Sequence, residues 1–281
     1  MTPAFFVFGL VCAGVFGALI GSFLNVVVYR VPAGRSIVSP PSACGNCGTE
    51  IRPYDNIPVL SWLVLRGRCR DCRSAISIRY PLVEAATAGA FALVAWWFWA
   101  GPQASAATDP AGIASRVLVV VAFLYLVAIS IALALIDLDT HRLPNALVLP
   151  SYGVGLVLLG TAALVGGDPF ALARATVGGA ALFLFYLVLA LVRPDGMGFG
   201  DVKLAGVLGI FLGFLGWAPL LVGAFAAFLL GGLYGIALLA TRRAGRRSGI
   251  PFGPWMLAGA WLGILAGPTI GSAYLALLGL S

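Results

Sequence analysis

What this chain lacks most is charge. Asp, Glu, Lys and Arg together make up 10% of its 281 residues, against 61% hydrophobic, whereas a soluble domain carries roughly 25% charged residues. A water-soluble globular protein is thereby excluded, and the chain is expected in a bilayer. Histidine is scarcer still. His141 is the single one, and without a second histidine or a nucleophile motif it reads as a solvated loop residue rather than a base. No glycine-rich dinucleotide loop or strand–helix alternation occurs, which removes a soluble methyl-donor or nucleotide domain. Solenoid repeats and low-complexity tracts are missing too. No basic residue precedes the first apolar run and no small-residue cleavage site closes it, so a removable signal peptide is not expected.

Long apolar runs are what the chain has instead. Stretches near the length of about 20 residues needed to cross the hydrocarbon fall around 4–29, 81–100, 117–136, 145–166, 175–192, 202–216, 218–240 and 252–278. The expected fold is an all-α polytopic membrane protein of about eight transmembrane helices. The sixth run is short and glycine-rich, so it reads as tilted, re-entrant or continuous with the seventh, with Pro219 arguing for a break. Glycines four apart at Gly17/Gly21, Gly209/Gly213 and Gly231/Gly235 are candidate helix contacts.

Lysine and arginine concentrate in alternate loops: Arg30 to Arg79 in the first, Arg142 in the third, Arg193 and Lys203 in the fifth, Arg242, Arg243, Arg246 and Arg247 in the seventh. Only Arg116 and Arg174 fall at the other face. Cytoplasmic loops carry such an excess, so the expectation is a protein of the cell inner membrane with both termini outside. The net charge of +7 then reads as juxtamembrane arginine facing anionic lipid headgroups, not as a nucleic-acid surface.

One polar segment is long enough for a lobe of its own, which gives the expected organisation: a first transmembrane helix over 1–29, a cytoplasmic lobe over 30–80 and a transmembrane core over 81–281. The lobe holds Cys44-Gly45-Asn46-Cys47 and Cys69-Arg70-Asp71-Cys72, two C-x-x-C pairs at close to the spacing of four-cysteine zinc sites. Gly45 and Gly48 would ease the turns. Four thiolates fill a tetrahedron and leave no position for substrate, so the zinc would be structural. Two disulfides are the competing reading, and they need an oxidising face. Cys12, in the first span, reads as a small packing residue.

Two aspartates stand where a membrane chain least tolerates them. Asp137 closes the run Leu118–Ile136, and Asp201 follows Gly196-Met197-Gly198-Phe199-Gly200 at the start of another. Ionisable groups at such places are costly and usually functional. Peptide hydrolysis by carboxylates needs two of them around one water, and under the topology above both lie at one membrane depth. Gly198 and Gly200 would let a substrate strand come close to Asp201. Asp139, two residues beyond Asp137, is the rival; it would point to another face of a continuing helix or cap the turn that follows. Asp201 has its own structural alternative, an N-cap that pairs with Lys203 or with the following amides.

Taken together, several segments resemble one family, the type IV prepilin peptidases, membrane aspartyl proteases of the GxGD kind. They are Gly21-Ser22-Phe23-Leu24-Asn25-Val26-Val27-Val28-Tyr29-Arg30, the paired C-x-x-C lobe, Ile78-Arg79-Tyr80-Pro81-Leu82-Val83-Glu84, Ile136-Asp137-Leu138-Asp139 with Leu143-Pro144-Asn145, and Gly196-Met197-Gly198-Phe199-Gly200-Asp201-Val202-Lys203-Leu204. The resemblance implies that Asp137 and Asp201 are the catalytic pair, with Gly198, Gly200 and Lys203 in support. It implies cleavage of the basic leader of prepilin or pseudopilin substrates at the cytoplasmic face. Cys44, Cys47, Cys69, Cys72 and Glu84 match the two-activity form, in which S-adenosylmethionine methylates the new N-terminus. Glu84 has a second reading, a helix-end carboxylate near the positive end of the dipole. Glu50, Asp55 and Asp71 are expected to attract the basic leader. A peptidase without methylation, a transporter that carries protons or cations on the two acids, and a scaffold with a docking lobe remain as alternatives.

Overall fold

The computed structural model describes residues 3–100, 109–193, 197–241 and 251–279. Gly196 and the arginines Arg242, Arg243, Arg246 and Arg247 lie outside the described residues. The helices are α1 (Pro3–Arg30), α2 (Leu60–Val64), α3 (Arg79–Ala100), α4 (Pro110–Thr140), α5 (Asn145–Val165), α6 (Pro169–Val192), α7 (Phe199–Leu215), α8 (Trp217–Ala240) and α9 (Gly253–Leu277), with a 3-10 turn at Pro53–Asp55. Among the described residues, seven helices are long and apolar enough to cross a membrane, as expected of a multi-pass membrane protein.

The helices overrun the apolar runs that announce them. α4 starts at Pro110, where Asp109 accepts the Gly112 N–H at 3.2 Å, and it continues through Asp137 and Asp139 to Thr140. Asp139 is therefore an exposed residue of the last turn of the helix. The helix stops at His141, whose left-handed φ of 53° turns the chain while its N–H reaches the Asp137 carbonyl. α6 begins at Pro169, with Asp168 accepting the Ala171 N–H at 3.1 Å. Capping side chains and proline at the first helical position start helices in the polar zone, and hydropathy alone does not register them.

α7 is the eighth apolar helix and the short one. Its 17 residues span about 25 Å at 1.5 Å each, below the roughly 30 Å of hydrocarbon. It is a separate helix: the chain breaks at Gly216, in a φ of 140° that favours glycine, and Pro219 then sits in the first turn of α8. That position has no intrahelical acceptor to lose. From Leu204 to Gly213 every residue of α7 is buried, and it packs against α5, α6, α8 and α9. Surrounded by protein, a helix has no need to match the thickness of the lipid.

Two compact units divide the chain, residues 1–105 with 123–132, and 106–122 with 133–281. In the first, α1 and α3 meet through Gly17 and Gly21, where an added Cβ would lie 2.7 Å from the Phe91 Cβ and from the Glu84 Cα respectively. In the second, α6 and α7 meet glycine on glycine. A Cβ on Gly178 would lie 2.6 Å from the Gly209 carbonyl oxygen, and one on Gly213 would lie 2.5 Å from that of Arg174. Gly231 packs on the Phe252 ring, and α8 and α9 close through Gly223, Gly259 and Gly263. Without a hydrophobic drive between helices in lipid, such close approach supplies the contact. Gly209→Ala should therefore cost about 1–3 kcal/mol by overpacking. It would be read as a lower thermal midpoint in detergent, and an unchanged midpoint would mean that the α6–α7 contact is not tight.

Candidate active site and metal centre

Three helix ends converge in the second unit. Asp137, in the last turn of α4, is 5% exposed, and Asp201, third residue of α7, is 8% exposed; each carboxyl lies within electrostatic range of the other. The third end is the start of α9, where the Gly253 N–H donates to Asp137 Oδ2 at 3.0 Å. Asp201 Oδ2 accepts the Gly198 N–H at 3.1 Å while its own N–H donates to the Gly198 carbonyl. This is the carboxylate half of a capping box, so Asp201 caps α7 from its third position and not from the N-cap.

The expected partners of Asp201 rearrange accordingly. Lys203 turns away from it: Nζ donates to Asn145 Oδ1 at 2.9 Å and lies 4.9 Å from the centre of the Phe199 ring. Tyr152 on α5 donates to the Lys203 carbonyl at 2.6 Å. Lys203 thereby ties the start of α5 to α7. Gly198 is extended, with φ −75°. Gly200 is tight against the α4–α5 loop, because a Cβ there would lie 3.0 Å from the Leu143 Cβ. Gly253 and the buried Tyr186 of α6, whose ring centre lies 6.4 Å from that of Phe252, are not among the residues the sequence singled out. A glycine between prolines in Pro251-Phe252-Gly253-Pro254, opening a run at the same edge as the two acids, was the available signal.

The four lobe cysteines come together. Their sulfurs all lie within 4.8 Å of one another, they are free thiols, and Cys44 Sγ is 3.7 Å from Cys72 Sγ. A tetrahedral ion with metal–sulfur bonds of about 2.3 Å asks for sulfur–sulfur distances of about 3.8 Å. The set fits a metal ion. Two matching knuckles build it: the Cys44 N–H reaches the Thr49 carbonyl and the Gly48 N–H that of Cys44, just as Cys69 reaches Ser74 and Arg73 reaches Cys69. Each knuckle ends in a two-residue bridge, Ala43 with Glu50 and Arg68 with Ala75. Gly48 and Arg73 both take the positive φ, at 72° and 60°, whereas Gly45 does not. Hydrogen bonds from the Ser74 hydroxyl and amide and from the Asn46 side chain bring the Cys72 thiol down to about 6. The thiolate is the form that ligates metal.

Two acids expected to attract a basic leader are already engaged. Asp55 takes Arg70 in a bidentate pair, Nε to Oδ2 at 2.7 Å, which holds its carboxyl below the usual range. Asp71 pairs with Arg52 at 3.1 Å. Asp55 is thereby neutralised within the lobe, whereas the Arg52–Asp71 pair is exposed on both sides.

Glu84 is buried in the second turn of α3, and its Oε2 accepts the Val59 N–H at 2.6 Å. Val59 has φ 62° and ψ −51°, and the Leu60 N–H reaches back to the Pro58 carbonyl. This is a γ-turn of the rare, strained kind centred on a β-branched residue. Glu84 thus does more than meet a helix dipole. Glu84→Ala leaves a partly buried N–H unpaired at a cost of about 1–3 kcal/mol. Faster amide exchange over residues 57–65 is the expected readout, and unchanged protection would show that the carboxylate does not hold the turn.

Fold and site together define a class: a multi-pass helical membrane protein with two buried carboxyls at helix ends and, in its polar segment, a four-thiol cluster able to bind a metal ion. The chain belongs to the type IV leader peptidase family, which it matches over residues 124–236, preceded by a bacterial peptidase A24 N-terminal domain over 15–98. It is 36% identical to the prepilin leader peptidase/N-methyltransferase of Pseudomonas putida over 99% of this chain and 97% of the relative. Identity to the protein of the same name from Neisseria gonorrhoeae is 32%, over 91% and 90%. For Myxococcus xanthus it is 39%, over 83% and 64%. No solved structure is significantly similar to the chain.

Proposed function

We propose that this protein is a prepilin leader peptidase and N-methyltransferase of the inner membrane, with Asp137 and Asp201 as its catalytic pair. The observation that carries this reading is that two buried carboxyls stand at helix ends gathered around Leu143, which lies against Gly200 beside Asp201 and against Gly253 beside Asp137, in a chain of that family. One carboxylate takes a proton from a water held between them. Its partner, protonated, donates to the scissile carbonyl. The water oxygen bonds to the carbonyl carbon, the C–N bond breaks and the amine leaves protonated, with no acyl-enzyme. Acids at helix ends speak against proton or cation carriage, which calls for a midplane site.

The basic residues support an orientation with the dyad in the cytoplasm, both termini outside and the arginines facing anionic lipid; we assign no nucleic-acid partner. Zinc is the metal that four thiolates favour, and when bound it folds the lobe and performs no bond cleavage. S-adenosylmethionine supplies an electrophilic methyl for the new N-terminal amine. Glu84, a buried carboxylate of the first unit, fits its positive sulfonium on charge.

Mass spectrometry of a co-expressed prepilin tests both activities at once. The expected mature chain lacks its leader and carries one added methyl, and replacement of the four cysteines removes the methyl. An uncut prepilin beside folded, inserted enzyme would overturn the peptidase reading.

A further inference from the structure

The dyad acids reach their places by different means. Asp201 bonds within its own helix start, whereas Asp137 projects from the end of α4 and is fixed across 116 residues of sequence by the Gly253 N–H. That amide is one of the first of α9, and the opening amides of a helix have no intrahelical acceptor. It is buried and spends its hydrogen on Asp137 Oδ2.

The space is as particular as the bond. A Cβ at position 253 would lie 2.7 Å from Asp137 Oδ2, 3.4 Å from its Cγ and 3.3 Å from Leu143 Cδ2. Leu143 in turn packs against Gly200, beside Asp201. One methyl group at 253 would therefore press on both sides of the pair. The start of α9 has little room to yield, because the Phe252 ring is set among those of Phe228 and Tyr186, at 5.4 and 6.4 Å between centres, and against Gly231.

We propose that Gly253 is a positioning residue of the peptidase: its amide orients the Asp137 carboxyl, and its lack of a side chain is what admits that carboxyl to the dyad. The proposal rests on the reading of Asp137 as catalytic. Gly253 lies beyond the family match at 124–236, and none of its role is carried by the GxGD motif.

The test uses the full-length enzyme in detergent. Gly253→Ala is expected to lower kcat for leader cleavage about a hundredfold, the scale of a 1 Å misplacement. KM should stay near parental and the pH profile of kcat should move, while methylation of a leaderless substrate stays at the parental level. A spectrum with ¹⁵N-glycine gives a second readout, independent of how well that variant folds. The Gly253 amide signal, assigned by position-specific labelling, should shift in Asp137→Ala. Parental kcat and pH profile in Gly253→Ala, or an unmoved signal in Asp137→Ala, would overturn the inference while an inactive Asp137→Asn leaves the dyad standing. A fully active Asp137→Asn would overturn both.

Discussion

Asp137→Asn or Asp201→Asn, each alone, should stop leader cleavage with a loss of at least about 10³-fold, near the upper range of acid–base catalysis. The amide is isosteric, and its oxygen can still accept the Gly253 or Gly198 N–H that holds each native carboxyl. Folding is therefore expected to survive the substitution. What is lost is proton transfer: an amide neither takes the proton of the water nor offers one to the carbonyl. The double variant should be little worse than either single one, because groups that act as a unit lose their effect together. Asp139→Asn, on the exposed side of the same helix end, should cut at close to the parental rate. Parental cleavage by either dyad variant would end the aspartyl protease reading.

Removal of the metal should have the second large effect. Besides the thiols, the lobe is held by two isolated bridges, two short helical turns, two ion pairs, the Trp62–Ile76 hydrogen bond and the Val59–Glu84 bond. For small four-ligand sites the binding free energy is folding free energy, on the order of 10 kcal/mol. Cys69→Ser removes the buried sulfur of the four. The expected result is a fall from one zinc per chain to none, rapid proteolysis within residues 31–78, and loss of methylation. A strong chelator should reproduce it in the parental protein, and added zinc should reverse it. Full zinc content and an intact lobe in Cys69→Ser would show that the cluster is not a metal site.

The apolar runs gave the number and order of long helices because an uninterrupted apolar stretch has no other stable conformation in lipid. The C-x-x-C spacing carried the four-thiol cluster for a local reason: each pair lies on one tight knuckle, and only the meeting of two knuckles was left to the fold. Helix starts were misplaced where caps decide them, at Asp109 and Asp168. The arginine partners of the lobe acids were not legible, because pairing is a property of three-dimensional neighbours, as Arg70 with Asp55 and Arg52 with Asp71 demonstrate.

By itself, then, the sequence determined the membrane class, the thiol quartet and the two acids as an anomaly of charge in apolar runs. Tertiary structure alone decided that α7 is wrapped by other helices, that Glu84 holds a strained turn and that Gly253 holds Asp137. Periodicity and spacing act within about one turn or one knuckle, whereas a hydrogen bond between residues 137 and 253 exists only once glycine-lined helices have packed closely enough to bring their ends together.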